Sequence, residues 1–158
     1  MNPPVLGLDL STHTGWAVRT ASGRIESGVQ EFDKRRGESD GIRFLRFRKW
    51  LNELIDLSGA CKGSGIIGYE QAHHRGGYAT ALCVGLQTLV LETAAERGLE
   101  HVSVHTATLK KWATGSGRAG KEEMMAAAGK KHPTIELLDD NHADALLVLD
   151  WTIKDVSV

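Results

Sequence analysis

Two short apolar segments, each carrying an acid at its end, constrain the fold of this chain more than any other feature. One runs from Val5 to Leu10 and includes Asp9, and the other runs from Ile66 to Glu70. Short continuous apolar runs of this kind are typical of strands buried on both faces of a sheet. They predict a sheet covered by helices, with two carboxylates where its strands end.

The order of the remaining elements predicts a mixed sheet. Two strands, Gly15 to Arg19 and Ile25 to Phe32, are joined by a hairpin signal at Ala21-Ser22-Gly23, which favours antiparallel pairing. The later strands follow helices and therefore need crossover connections, which make them parallel to the first strand. The predicted later elements are a helix at Ile42 to Leu57, the strand at Ile66 to Glu70, a helix at Tyr78 to Arg97, a strand at His101 to His105, and helices at Thr108 to Ala113, Lys121 to Lys131 and His142 to Lys154.

Composition predicts one globular α/β domain spanning residues 1–158. The chain is 41% hydrophobic and 25% charged, which is ordinary for a folded domain, and no repeat or interdomain linker is visible. No stretch approaches the roughly 20 apolar residues of a membrane span, and no basic residue precedes the first apolar run as in a secretory signal. With only Cys61 and Cys83, we expect no disulfide framework and a cytoplasmic protein.

Charge is distributed unevenly, although the net charge is only -1. The stretch from His101 to Lys121 contains no acid, and the stretch from Lys34 to Lys49 carries seven basic residues against two acids. Such runs suit either contact with a nucleic-acid backbone or an ordinary solvated surface. The basic side chains of the first stretch are Lys110, Lys111, Arg118 and Lys121.

The acids at the strand ends indicate a metal site. Asp9 and Glu70 end strands that we expect to be parallel, so their carboxylates meet at one edge of the sheet and repel each other. A proton, a basic side chain or a hard cation such as Mg²⁺ would relieve this repulsion. Asp144, near the start of the last helix, is the third candidate ligand, although an acid there also suits the helix dipole.

Four motifs follow one another along the chain and span nearly the whole sequence. They are Gly7-Leu8-Asp9-Leu10-Ser11-Thr12 with Thr14-Gly15-Trp16-Ala17; Tyr69-Glu70-Gln71 with His73-His74-Arg75-Gly76-Gly77; Leu109-Lys110-Lys111 through Gly115-Ser116-Gly117-Arg118-Ala119-Gly120-Lys121; and Ala143-Asp144-Ala145-Leu146. In this order they resemble the motifs of the RuvC-type Holliday-junction resolvases of the RNase H-like superfamily, particularly phage RuvC-like proteins. The ordered set is more specific than any one motif.

The resemblance implies a fold, an activity and roles for specific residues. It implies an RNase H-like mixed sheet of five strands with flanking helices, and a homodimeric endonuclease that cuts four-way or other branched DNA to leave 5′-phosphate ends. Two Mg²⁺ ions, with Mn²⁺ as a substitute, would be held by the catalytic acids Asp9, Glu70 and Asp144. The residues implied to contact DNA are His73, His74, Arg75, Tyr78, Lys110, Lys111, Arg118 and Lys121.

One position departs from the family pattern. The family often carries an acid or His three residues before the last Asp, where this chain has Asn141. An amide oxygen is a weaker ligand than a carboxylate, so Asn141 predicts a weak second metal site. His142 and Asp140 are alternative ligands for that site.

Three competing interpretations remain open from the sequence. An actin-like ATPase would use the segment around Asp9 for phosphate, but it needs two such domains, and no second phosphate motif follows. A non-catalytic DNA-binding protein with a degenerate RNase H-like fold is weakened by the presence of all three acids. A nuclease acting on forks or flaps is the third alternative, because substrate choice depends on how two active sites are spaced.

Overall fold

The computed structural model describes residues 2–72 and 76–156. His73, His74 and Arg75 lie outside the described residues. Within the described ranges the chain forms five strands and five helices. In chain order these are β1 (Val5–Asp9), β2 (His13–Arg19), β3 (Ile25–Glu31), α1 (Gly41–Ser58), β4 (Ile66–Glu70), α2 (Gly77–Arg97), β5 (Glu100–Val104), α3 (Thr106–Thr114), α4 (Lys121–Lys131) and α5 (Asp140–Asp155).

The five strands form one mixed sheet in the order β3-β2-β1-β4-β5. β2 pairs antiparallel with both β1 and β3, whereas β4 pairs parallel with both β1 and β5. This confirms the predicted α/β class, with an antiparallel meander followed by parallel strands. The carboxyl ends of β1, β4 and β5 therefore lie at one edge, which we call the acidic edge.

Helices cover the two faces of the sheet, and alternate residues of β1 point to each. Leu6 and Leu8 belong to a core formed mainly with α1 and α2, which contribute residues such as Phe47 and Leu86. Val5 packs in a separate core with α5. Burial of β1 on both faces explains why its sequence is a continuous apolar run rather than an alternating one.

Helix α5 packs unusually close to the sheet because glycines lie beneath it. A Cβ atom added at Gly7 would lie 2.5 Å from the backbone nitrogen of Leu149, and one added at Gly15 would lie 1.9 Å from the backbone oxygen of Asn141. Neither position has room for a side chain. The glycines thus allow the middle of α5 to lie directly against β1 and the start of α5 to lie directly against β2.

Two helices, α3 and α5, begin two residues earlier than the sequence predicts, and side-chain caps account for the difference. α5 begins at Asp140 rather than His142, because the Asp139 carboxylate accepts a hydrogen bond from the backbone N–H of His142 at 2.8 Å. α3 begins at Thr106, preceded by the cap residue His105. Local caps of this kind shift helix boundaries by a residue or two.

Helix α2 corrects the expectation that no stretch of the chain approaches the length and apolar character of a membrane span. With 21 residues it is long and apolar enough, by length and composition alone, to cross a membrane. The core helix of a globular domain meets the same criterion, and α2 contributes Leu86 and Val90 to the core. Meeting this criterion is therefore only weak evidence that α2 is a membrane segment.

Cys61 and Cys83 are free thiols, as expected.

Candidate metal centre

Three acids from three elements converge at the acidic edge. Asp9 is the last residue of β1 and Glu70 the last residue of β4, and the two strands are paired neighbours in parallel. Asp144 lies one turn into α5, the helix that packs closely on the sheet above Gly7 and Gly15. One carboxylate oxygen from each of the three acids lies within 4.8 Å of the other two. The predicted triad is thus assembled in space.

The environment of Asp9 and Asp144 favours the neutral forms of these two carboxyl groups when no cation is bound. Burial, followed by the charges of Glu70 and Asp144, raises the pKa of Asp9 well above its ordinary value. Burial and the charge of Glu70 raise the pKa of Asp144 from 3.8 to about 7. The ammonium groups of Lys110 and Lys121 oppose the shift of Asp144 without reversing it.

The donor set fits a hard divalent cation. Asp144 Oδ1 is buried and has no hydrogen-bond partner among the described residues. A buried carboxylate oxygen without a partner carries a desolvation cost, and a cation among three carboxylates would remove both that cost and their mutual repulsion. Oxygen ligands alone favour Mg²⁺, Mn²⁺ or Ca²⁺ over softer metals.

Glu70 has a hydrogen-bond partner that the sequence did not reveal. Thr106, the first residue of α3, donates its hydroxyl to Glu70 Oε1. A signal for it was present, because a hydroxyl residue directly follows the strand predicted from His101 to His105. Threonine is common after strands, however, and the charged and aromatic residues of this region were the more conspicuous candidates.

The three alternatives for a second metal site occupy different environments. Asp140 is near the triad, since its charge raises the pKa of both Asp9 and Asp144, and its Oδ2 lies 3.3 Å from Lys121 Nζ. Asn141 lies at the start of α5, with its backbone oxygen against Gly15.

His142 is placed away from the acids. Its ring is buried, with Nδ1 accepting a hydrogen bond from the backbone N–H of Leu138 at 3.1 Å and Nε2 lying 2.7 Å from Ser27 Oγ. Both ring nitrogens are therefore engaged by the protein. The structure does not bring His142 to the triad, because the His142 ring points toward β3 and contacts Ser27 there.

A pocket of about 420 Å³ opens beside Asp9 and Glu70. Small side chains at the start of α2 line it, including Ala79, Thr80 and Cys83. The Cys83 thiol donates to the backbone oxygen of Leu10 at 3.4 Å, and burial raises the pKa of the thiol. The space beside the acids is thus open and largely apolar.

A second group able to hold a cation, His13, Glu31 and Asp33, lies outside the triad. His13 Nε2 is already 2.9 Å from Asp33 Oδ2, and both side chains are substantially exposed. Exposed acidic groups are common without a bound ion. This group lacks the burial and the unpartnered oxygen that characterise the triad.

Comparison with known structures identifies the fold. No family model and no curated protein matches this sequence. Thermus thermophilus RuvC matches over 98% of this chain and 96% of its own, with a TM-score of 0.74 and 19% identity. The chain has a RuvC-like fold. The same protein in complex with Holliday junction substrate matches with a TM-score of 0.72, 19% identity and coverage of 94% of this chain and 91% of that chain.

The fowlpox virus Holliday junction resolvase is a more distant structural neighbour. It covers 96% of this chain and 99% of its own, with a TM-score of 0.53 and 8% identity. At these identities the matches show the fold alone. They confirm the RNase H-like arrangement predicted from the sequence motifs.

Four of the basic residues predicted to contact DNA, Lys110, Lys111, Arg118 and Lys121, lie on α3, on α4 and between them. Lys110 is half-buried, and its charge acts on Asp144. Lys111 and Arg118 are exposed, and the Lys121 side chain is 80% exposed while paired with Asp140. The charges of Lys110 and Lys121 thus act on Asp144, whereas Lys111 and Arg118 lie at the surface.

Tyr78 projects from the start of α2 in this RuvC-like fold and is 59% exposed. Its hydroxyl donates to Asp40 Oδ1 at 3.2 Å and accepts from Arg43 at 2.9 Å, so contacts with α1 and the residue before it orient the ring. The other residues predicted to contact the junction beside it, His73, His74 and Arg75, lie outside the described residues.

Proposed function

We propose that this chain is a divalent-metal-dependent endonuclease that cuts four-way DNA junctions. The observation that carries the proposal is the convergence of Asp9, Glu70 and Asp144 at one edge of a RuvC-like sheet. Further support comes from the structural neighbour solved with a Holliday junction. Because the identity to that neighbour is 19%, the assignment of its substrate to this chain is a proposal.

The triad would hold the cations, with Mg²⁺ as the proposed ion and Mn²⁺ as a substitute. Asp9, Glu70 and Asp144 would supply carboxylate oxygens, and Asp140 or Asn141 would supply a weaker ligand to a second ion. Bound divalent cations would provide electrostatic stabilisation of the scissile phosphate and lower the pKa of an attacking water, leaving 5′-phosphate ends. Burial of Asp9 would strengthen its interaction with any bound cation.

The chain's basic residues would hold DNA over the triad. Lys110 is close enough to act on Asp144 electrostatically, and a phosphate bound at the triad would come within reach of the same ammonium group. Lys111, Arg118 and Lys121 would bind the flanking backbone. Contacts of this type position DNA without reading its sequence, as expected for recognition of a branched shape.

The proposed active form is a homodimer. A four-way junction offers two symmetry-related strands, and a twofold dimer would present one triad to each. Helix α2 offers apolar surface beyond its core face, including Val84, which is 37% exposed. We propose that this surface contributes to the dimer interface.

The test is cleavage of a panel of labelled DNA substrates. The wild-type protein is incubated with a four-way junction, a fork, a flap and a linear duplex of matched arm sequence, with and without Mg²⁺. The proposal predicts Mg²⁺-dependent, paired cuts in the junction and none in the duplex. Preferential cutting of the fork or flap would reassign the substrate, and binding without cutting of any substrate would identify a non-catalytic DNA-binding protein.

A further inference from the structure

Thr106 makes a contact with the candidate metal centre that the proposed function does not use. Its hydroxyl donates to Glu70 Oε1 across the gap between the start of α3 and the end of β4. Glu70 has one more rotatable side-chain bond than an aspartate, and it faces repulsion from Asp9 and Asp144. A fixed donor restrains a carboxylate that would otherwise be the most mobile of the triad.

The backbone around Thr106 is well placed to fix the position of that hydroxyl. Glu70 is paired with Val104 of β5, and the backbone N–H of Gln71 extends the ladder with a 2.8 Å bond to the Val104 oxygen. His105 then caps α3, accepting from the backbone N–H of Ala107 at 3.3 Å through Nδ1. His105 alone lies between Val104 and Thr106 in the chain, so the hydroxyl is tied to the strand beside Glu70.

Helix α3 presents both Thr106 and Lys110 toward the triad. The two residues are four apart and therefore share one face of the helix. Lys110 acts on Asp144, as its effect on the pKa of that carboxyl indicates, while Thr106 contacts Glu70 directly. One helix thus supplies a neutral donor to one acid and a positive charge to another.

We propose that Thr106 is a positioning residue that holds the Glu70 carboxylate at the metal site before a cation binds. This inference rests on the proposed metal-dependent function. The Thr106 hydroxyl lowers the cost of assembling three mutually repelling acids, because the donated bond offsets part of the repulsion that pushes Glu70 outward. Hydrogen-bond partners of metal ligands typically contribute roughly 10- to 100-fold to metal affinity.

The test compares Mn²⁺ affinity across Thr106 variants, measured by electron paramagnetic resonance of free Mn²⁺ on the full chain. Thr106→Val keeps the shape of the side chain and removes the donor, and we expect the apparent Kd for Mn²⁺ to rise roughly tenfold. Thr106→Ser keeps the donor and should restore an affinity within about twofold of wild type. A purely structural role would not distinguish valine from serine in this way.

Thr114→Val is the matched control on the same helix. The Thr114 hydroxyl donates to the backbone oxygen of Lys110 at 2.8 Å, and that bond makes no contact with the triad. Its loss should leave the Kd for Mn²⁺ unchanged. Thermal unfolding of every variant without metal verifies folding, and Thr106→Ala takes the place of Thr106→Val, with the same expected Kd, if the valine variant does not fold.

Two results would overturn the inference, and they are distinguishable. Wild-type Mn²⁺ binding with an unchanged Kd in folded Thr106→Val would remove Thr106 from the positioning of Glu70 while leaving the proposed function intact. No Mn²⁺ binding by the wild type would contradict the proposed metal-dependent function itself.

Discussion

His142 Nε2 lies 2.7 Å from Ser27 Oγ, so this buried ring joins the start of α5 to β3 rather than facing the acids. Its Nδ1 accepts from the backbone N–H of Leu138, which leaves the proton on Nε2 to be donated to Ser27. Burial lowers the pKa of His142 and keeps the ring neutral. The contact thus ties the first turn of α5 to β3.

His142→Ala should destabilise the protein without changing its metal requirement. Removing the ring leaves the Leu138 N–H and the Ser27 hydroxyl without their partner, at a cost of roughly 1–3 kcal/mol. Urea unfolding should show this decrease in stability, while the Mg²⁺ concentration for half-maximal junction cleavage should match that of wild type. Asn141→Asp, one residue away, provides the contrast: its added carboxylate should lower the half-saturating Mg²⁺ concentration. A raised Mg²⁺ requirement in folded His142→Ala would instead indicate that His142 is a ligand of the metal site.

Asp144→Asn should stabilise the metal-free protein in a pH-dependent way. The folded-state pKa of Asp144 is about 7 against an ordinary value of 3.8, so its contribution to stability is complete at low pH and is lost as pH rises through about 7. Asparagine cannot ionise. The stability difference should therefore be smallest below about pH 4 and grow to at most about 4 kcal/mol above about pH 8.

Thermal and urea unfolding of both proteins from about pH 4 to about pH 9, without metal, measure this difference. Mg²⁺ should stabilise the wild type at high pH and stabilise Asp144→Asn less. A stability difference that does not vary with pH would mean that the Asp144 carboxylate is not desolvated and repelled as the structure indicates.

Replacing both Lys110 and Lys111 with alanine should weaken junction binding and make it less dependent on salt. For each phosphate that the protein no longer neutralises, the slope of log affinity against log salt should fall by about 0.9 on duplex DNA. The affinity of catalytically inactive protein for the four-way junction is measured over a range of salt concentrations. Lys62→Ala with Lys154→Ala is the matched control, since the turn before β4 and the end of α5 lie at the edge opposite the acids. Equal slopes for the test and control pairs would exclude α3 from the DNA-binding surface.

The sequence predicted the fold because its signals were local and mutually consistent. Two apolar runs ending in Asp9 and Glu70, a hairpin signal before Ile25 and helical spacing between later strands were sufficient for the mixed sheet. The convergence of the acids followed from parallel pairing of β1 with β4. Asp144 was a candidate ligand because of its place near the start of the last helix, and the motif resemblance supported that role.

The contacts that the sequence did not predict depend on tertiary packing. Whether His142 faced the acids or the interior depended on the close approach of α5 to β2 above Gly15, which no local pattern specifies. The bond from Thr106 to Glu70 joins residues 36 positions apart through the pairing of β4 with β5. The contact of the Tyr78 hydroxyl with Arg43 was not predicted for the same reason, because Arg43 lies on a different helix.

Asp9 is the residue on which the proposed function depends most, because it ends the central strand and is repelled by both other acids of the triad. The most direct measurement is the rate of cleavage of a labelled four-way junction by wild type and by Asp9→Asn, with Mg²⁺ and protein in excess over DNA. We predict that Asp9→Asn folds and binds the junction with nearly wild-type affinity but does not cut it. Cleavage by Asp9→Asn at the wild-type rate in Mg²⁺ would contradict a metal-dependent mechanism centred on this triad.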